Sequence, residues 1–347
     1  MQYRELDRSG LLQEQETCRK EYEALKAKGL KLDMSRGKPG KAQLDLVSDI
    51  LTILTDTEEC AADGMDVRNY GGLSGLPSAK ALFADILGCR PEECFIGGNA
   101  SLTLMYDTIS KAYTHGLLHS EKPWCKLDRV KFLCPVPGYD RHFAITEYFG
   151  IWCVPKYSNP DGIIYSDETI RRFAGLKPAA PDFVLMWDNA YCLHEFEGDF
   201  VPFPDIIGLC REAGNPDMVF EYASTSKITF PGGGISVMAA SEANQAYMQK
   251  LMGVQMISYD KVNQLRHVKY LQDKEHTLAL MKKHAAIMGP KFQMVLDMLD
   301  QEIAPFGIAE WQKPKGGYFV SVNTMDGIAK RTLELCKDAG VVMTNAG

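Results

Sequence analysis

Apolar residues recur at Leu102, Met105, Ile109 and Tyr113 through "SLTLMYDTISKAYTHGLL", the spacing of one helix face turned to an interior. Strand-like runs follow in "VKFLCPV" and "GIWCVPKY", and then "YSDETIRRFAGL" reads as a helix, with Ser166 as N-cap and acidic residues in its first turn. "DFVLMWDNAY" is apolar at consecutive positions, as a strand covered on both faces must be. "MVFEYAS" and "GISVMAAS" continue the series, and Ser241 caps the helix after them. Strands alternating with helices predict an α/β domain built on a mostly parallel sheet. From about residue 260 the pattern turns to long helices, then "GGYFVSV" and the helical "GIAKRTLELCKDAG", which predict a smaller α+β domain. The expected organisation is an N-terminal segment, 1–45, packing on the small domain; a large domain, 46–265; and a small domain, 266–347.

Composition narrows the partners. A chain of 347 residues with 46% hydrophobic content can bury a large core, while a net charge of −7 offers no general attraction to nucleic acid or an anionic membrane surface. No apolar run approaches about 18 residues and the N-terminus is charged, so the expectation is an unexported, cytoplasmic protein with small-molecule partners. Ten cysteines are scattered through apolar segments without a CxxC pair, as buried thiols would be. HExxH, Walker A, EF-hand and GxGxxG signatures are missing, which leaves no sequence mark of metal, nucleoside-triphosphate or dinucleotide chemistry.

Ligands of open parallel sheets bind beyond the carboxyl ends of the strands. At those ends stand Tyr139, Asn159, Asp188, Tyr191 and Lys227, the last inside "STSKITFPGGG". The turn Gly97-Gly98-Asn99-Ala100 opens the helix that starts near Ser101, and free amides at a helix start make an anion site. Taken singly, Lys227 reads as a solvated loop lysine, Asp188 as a strand-end cap and Tyr191 as a core ring. Taken together they match pyridoxal phosphate: an amine for its aldehyde, a carboxylate for its ring nitrogen, and backbone donors for its phosphate. Asn159 and Tyr191 can reach the ring oxygen, and Tyr139 can stack on the ring.

The motifs "NYGGLSGLPSAK", "FIGGNASLTLMYD", "PVPGYDRH", "YSNPDG", "WDNAY" and "STSK" occur in this order from about residue 30 onward. In this the chain resembles the fold type I pyridoxal-phosphate aminotransferases, most closely the aspartate aminotransferase branch. The resemblance implies that Lys227 carries the cofactor, that Ser224 and Ser226 flank its phosphate with Gly98, Asn99, Ala100 and Ser101, and that Asp188 pairs with its ring nitrogen. It implies that Asn159 serves cofactor and substrate, that Gly37 meets the substrate carboxylate through its backbone, and that Tyr70 reaches the cofactor of a second copy in a homodimer with shared sites. The implied reaction is transamination between an amino acid, L-aspartate in that branch, and a 2-oxo acid such as 2-oxoglutarate. Two departures stand out: Ile235 occupies the place of the family's phosphate-binding arginine, and the sequence stops at Gly347 before the strand bearing the carboxylate-binding arginine, so it reads as C-terminally truncated. Another reaction on the same cofactor, a β-decarboxylation or elimination, stays open, as does a non-catalytic effector-binding domain.

Overall fold

In the computed structural model, which describes residues 2–35, 37–135, 138, 155–159 and 161–344, local capping chemistry marks the elements. Helix α1 (Arg8–Lys26) starts at Asp7, whose carboxylate accepts from the Gly10 amide. The short strand β1 (Leu32–Asp33) follows, then α2 (Pro77–Leu87), which has proline in its first turn and ends on Gly88 at φ +82°. Strand β2 (Cys94–Gly97) leads into α3 (Ser101–His115). Helix α4 (Asp167–Ala174) is capped by Ser166, which accepts from the Thr169 amide, as its sequence predicts. Strand β3 (Leu185–Asp188), helix α5 (Ile206–Glu212) and strands β4 (Val219–Ser224) and β5 (Ser236–Ala240) complete the centre. Ser241 caps α6 (Glu242–Gln255), again as predicted, and α7 (Lys261–Leu271) and the long α8 (Lys274–Glu302) come next. The chain closes with β6 (Ala309–Trp311), β7 (Val322–Thr324), α9 (Ala329–Asp338) and β8 (Val341–Val342).

The central sheet runs β2-β5-β4-β3, with every residue of its four strands buried. Alternate residues face opposite sides. Ile96, Leu185, Trp187, Val219 and Val237 pack against α2, α4, α5 and α7, while Phe95, Met186, Phe220, Tyr222 and Met238 pack against α3 and α6. Helices therefore cover both faces and the fold is α/β. Among the described residues the expected mostly parallel sheet is mixed: β2, β4 and β3 point the same way, with β3 and β4 paired in parallel, while β5 is antiparallel to both its neighbours. The connections decide this. β3 and β4 are joined through helix α5, whereas β4 passes to β5 through residues 225–235 with no helix, and a parallel return needs a crossover of roughly a dozen residues or more.

Strand β1 pairs in parallel with β8, Leu32 opposite Val341 and Asp33 opposite Val342. Asp338 receives the Tyr22 hydroxyl and the Lys26 ammonium, each at 2.6 Å, so α1 and β1 lie against the last helix and strand. "GGYFVSV" forms less strand than its pattern predicts. Gly316 makes one isolated bridge to Glu195, Gly317 adopts φ +81°, and regular pairing begins only at Val322. A Cβ on Gly316 would lie 2.5 Å from the Tyr157 ring, so the segment descends onto that ring instead of continuing a ladder.

Candidate active site

Lys227 sits in the reversal between β4 and β5, and the turn is closed by its own hydroxyls. The Thr225 amide donates to the Ile235 carbonyl at 2.9 Å, and the Ile235 amide returns to Thr225 Oγ1 at 3.0 Å. Thr229 Oγ1 lies 3.0 Å from Thr225 Oγ1 and 2.9 Å from Nε2 of the buried His267. One helical turn earlier on α7, Asn263 donates to the carbonyls of Gly233 and Gly234, both at 3.0 Å. A Cβ on Gly234 would stand 2.9 Å from Thr225 Oγ1, which explains the glycine there. The glycine triplet is thus a clasp that lets α7 hold the lysine turn.

The start of α3 meets this turn. Ser224 donates to Ser226 at 3.0 Å, Ser226 donates to the Asn99 carbonyl at 2.9 Å, and Asn99 Nδ2 donates to the Pro231 carbonyl at 3.1 Å. Ala100 occupies the N-cap position of α3 and has no side chain to cap it. The first amides of a 15-residue helix, carrying the positive end of its dipole, therefore open beside two serines and a lysine. Gly98 exposes its backbone close to Tyr259, whose ring would lie 3.4 Å from a Cβ placed there.

Burial sets the electrostatics. It pushes the Lys227 ammonium below its ordinary pKa, and the carboxylate of Asp188, at the end of β3, acts in the opposite direction. The Lys227 Nζ stands 4.9 Å from the centre of the Tyr191 ring. Burial, with Lys227 and two further bases nearby, holds His194 neutral by moving its pKa down to about 3. Glu221 of β4, opposite Trp187, is fully buried and its pKa is pushed up to about 8 by that burial, while Asn189 Nδ2 donates to its Oε1 at 2.9 Å. A second lysine, Lys156, is wholly enclosed: it donates to Glu195 Oε1 at 2.5 Å and to the Cys192 carbonyl at 2.8 Å, tying the residues before Asn159 to those after Tyr191.

Of the residues singled out in the sequence, Asn99, Ala100, Ser101, Ser224, Ser226, Lys227, Asp188 and Tyr191 come together around the start of α3 and the Lys227 turn. Asn159 lies half-buried in a turn closed by the Gly162 amide on the Ser158 carbonyl at 2.7 Å. Gly37 is pressed on Tyr318, where a Cβ would come within 2.9 Å of that side chain. Tyr70 is 82% exposed. Tyr139 lies outside the described residues. Sequence reasoning missed His267, His284, Asn263 and Gln43. Asn263 and His267, four apart in "NQLRH", are the only pair whose spacing signals a shared helix face.

Comparison with known proteins places these residues in context. The family model described as aspartate amino-transferase matches residues 6–151 and 148–347. An aspartate aminotransferase of Corynebacterium glutamicum is 41% identical over 370 residues, which cover 98% of this chain and 85% of that protein. The crystal structure of an aspartate transaminase from the same species superposes with a TM-score of 0.96 at 39% identity, covering 100% of this chain and 89% of that one. A more distant likeness, in fold alone, is to LysN, an α-aminoadipate aminotransferase of Thermus thermophilus solved with N-(5'-phosphopyridoxyl)-L-leucine: TM-score 0.65, 19% identity, 90% of this chain and 82% of that one.

Proposed function

The chain belongs to the aspartate aminotransferase family, and on that premise we propose that it moves the amino group of L-aspartate to 2-oxoglutarate, using pyridoxal 5'-phosphate held at Lys227. The observation that carries this reading is the uncapped start of α3 beside Ser224, Ser226 and Lys227. A carboxylate cap would compete with a phosphate there; alanine leaves the amides open, so the donor set fits a phosphorylated ligand.

Each group then has a task. The α3 amides with Ser224 and Ser226 would hold the phosphate, which accounts for a site that lacks an arginine at Ile235. Asp188 would keep the ring nitrogen protonated, and Asn159 and Tyr191 would donate to the ring oxygen. When bound, the cofactor supplies an electron sink for the substrate Cα–H bond. Lys227, whose proton affinity burial reduces against the opposing pull of Asp188, can act as the base that takes and returns a proton at Nζ. Gly37 would present its backbone to the substrate carboxylate.

A second copy of the chain completes the reading. Tyr70 is 82% exposed and Val254 and Ile257 are 90% and 58% exposed. They belong to one surface, because Lys261 Nζ holds the Asn69 carbonyl at 2.7 Å and Leu73 lies 3.5 Å from where a Gly253 Cβ would be. Such an apolar surface suits a homodimer in which Tyr70 reaches the partner's cofactor. The test is product analysis. With cofactor, aspartate and 2-oxoglutarate, glutamate and oxaloacetate should form in equal amounts, whereas alanine and carbon dioxide would mean β-decarboxylation and no product an inactive binding domain.

A further inference from the structure

Lys227 is approached from two sides by groups that meet at one glutamine. On the main-chain side, the carbonyl of Ile228 lies 3.0 Å from Nε2 of His284, which projects from α8. On the side-chain side, the Tyr191 ring under Nζ lies 6.2 Å from the ring of Tyr318. His284 Nδ1 and the Tyr318 hydroxyl both contact Nε2 of Gln43, at 3.3 and 2.9 Å. Gln43 and His284 are only 1% and 3% exposed, so water cannot stand in for these bonds.

Donor and acceptor rules place every proton. A carbonyl only accepts, so Nε2 of His284 carries the hydrogen, and a neutral imidazole then leaves Nδ1 to accept from the Gln43 amide. The other Gln43 N–H goes to the Tyr318 oxygen, while Gln43 Oε1 accepts from the Gly40 amide at 3.1 Å. Flipping the amide would set its N–H against the Gly40 amide and its oxygen against the Nδ1 lone pair, breaking two of the three bonds. Protonating His284 would set one N–H against another; burial, which lowers its pKa, favours the neutral ring, although the bond to Ile228 works against that shift. Gln43 sits at the foot of the Gly37–Gly40 stretch, and Tyr318 is the side chain on which Gly37 rests.

We propose that His284 is a positioning residue of this site: through Ile228 and Gln43 it locks the Lys227 turn to the Gly37–Gly40 segment, so that the lysine and the substrate-carboxylate contact keep a fixed separation. A misplacement of about 1 Å between reacting groups can cost roughly 100-fold in rate, which is the reason to fix it. This role rests on Lys227 carrying the cofactor, as proposed above.

The experiment uses the cofactor-loaded full chain. His284→Phe keeps a ring but leaves the Ile228 carbonyl and the Gln43 amide unpaired; His284→Gln restores one donor and one acceptor; Gln43→Met cuts the chain at its other end. Measured are cofactor retained on Lys227 after borohydride reduction, the pH midpoint of the visible absorption change, and kcat and KM for aspartate. His284→Phe should retain cofactor, move the midpoint by about half a unit or more, and lower kcat/KM roughly 10- to 100-fold. His284→Gln should recover to within about threefold. Gln43→Met should move the midpoint in the same direction, and the double variant should do no more than the larger single one, because the two are links in series. A folded His284→Phe with unchanged midpoint and kcat/KM overturns the assignment, as does strict additivity. If His284→Phe does not fold, a Gln43→Met protein indistinguishable from the parent overturns it equally. Failure of the parent chain to retain cofactor on Lys227 would instead overturn the reading on which this role rests.

Discussion

The Nζ of Lys227 stands 4.9 Å from the centre of the Tyr191 ring, although the two residues belong to different loops. They meet because β3 and β4 are parallel neighbours, Asp188 opposite Tyr222, so the segments that leave their carboxyl ends emerge side by side. "WDNAY" and "STSK" are separate motifs in the chain and one surface in the fold.

Lys227 should be the point of covalent attachment. Borohydride reduction of cofactor-loaded protein followed by peptide mapping should place the pyridoxyl group there. Lys227→Ala should lower transamination by at least about two to four orders of magnitude. A label on Lys156 would refute the assignment, since Lys156 is sealed from solvent.

Asp188→Ala should leave Lys227 competent to hold the cofactor while slowing proton removal by about two orders of magnitude or more, because an unprotonated ring is a poor electron sink. The same change should lower the Lys227 pKa further, since the Asp188 carboxylate is what opposes burial. Half-reaction rates close to the parent's would remove Asp188 from the site.

Ala100→Asp sets stability against binding. An aspartate at the N-cap of α3 can accept from the open amides and should stabilise the cofactor-free protein by about 0.5–1 kcal/mol. The same carboxylate would occupy and repel where the phosphate goes, raising the cofactor Kd by about tenfold or more. Tighter folding with unchanged affinity would show that the phosphate lies elsewhere.

Lys156 and Glu195 form a buried ion pair at 2.5 Å. Lys156→Met alone strands a buried carboxylate and should cost about 3–5 kcal/mol in urea unfolding, whereas Lys156→Met with Glu195→Leu should recover most of that loss. Additive losses in the two single variants would show that the pair is not coupled.

Glu221 contributes one pH dependence of stability. Its folded pKa near 8 lies above the ordinary carboxylate value of 4.5, so the folded state holds a proton that the unfolded state releases. Stability from this group is therefore complete below about pH 4.5 and declines as pH rises to about 8, by about 1.4 kcal/mol per unit. Glu221→Gln should flatten that decline and stabilise the protein at pH 7 by about 3 kcal/mol. Urea unfolding at pH 5 and pH 7.5 checks it; an unchanged slope would mean that Glu221 is ionised in the fold.

By itself the sequence determined the features that neighbours along the chain decide. Ser166 and Ser241 cap helices because their hydroxyls reach amides three residues on, and the start of α3 at Ser101 follows from the periodicity after Ala100. The lysine and its strand-end companions were legible for the same reason, since motif residues cluster where strands stop. Tertiary structure alone decided the direction of β5, which depends on the missing crossover between β4 and β5, and the need for glycine at 316, which depends on the His194 carbonyl and the Tyr157 ring from distant turns. It alone brought Gln43, His284 and Ile228 into contact. Their hydrogen bonds join segments with no periodic relation to one another, so only the packing of the whole core could choose them.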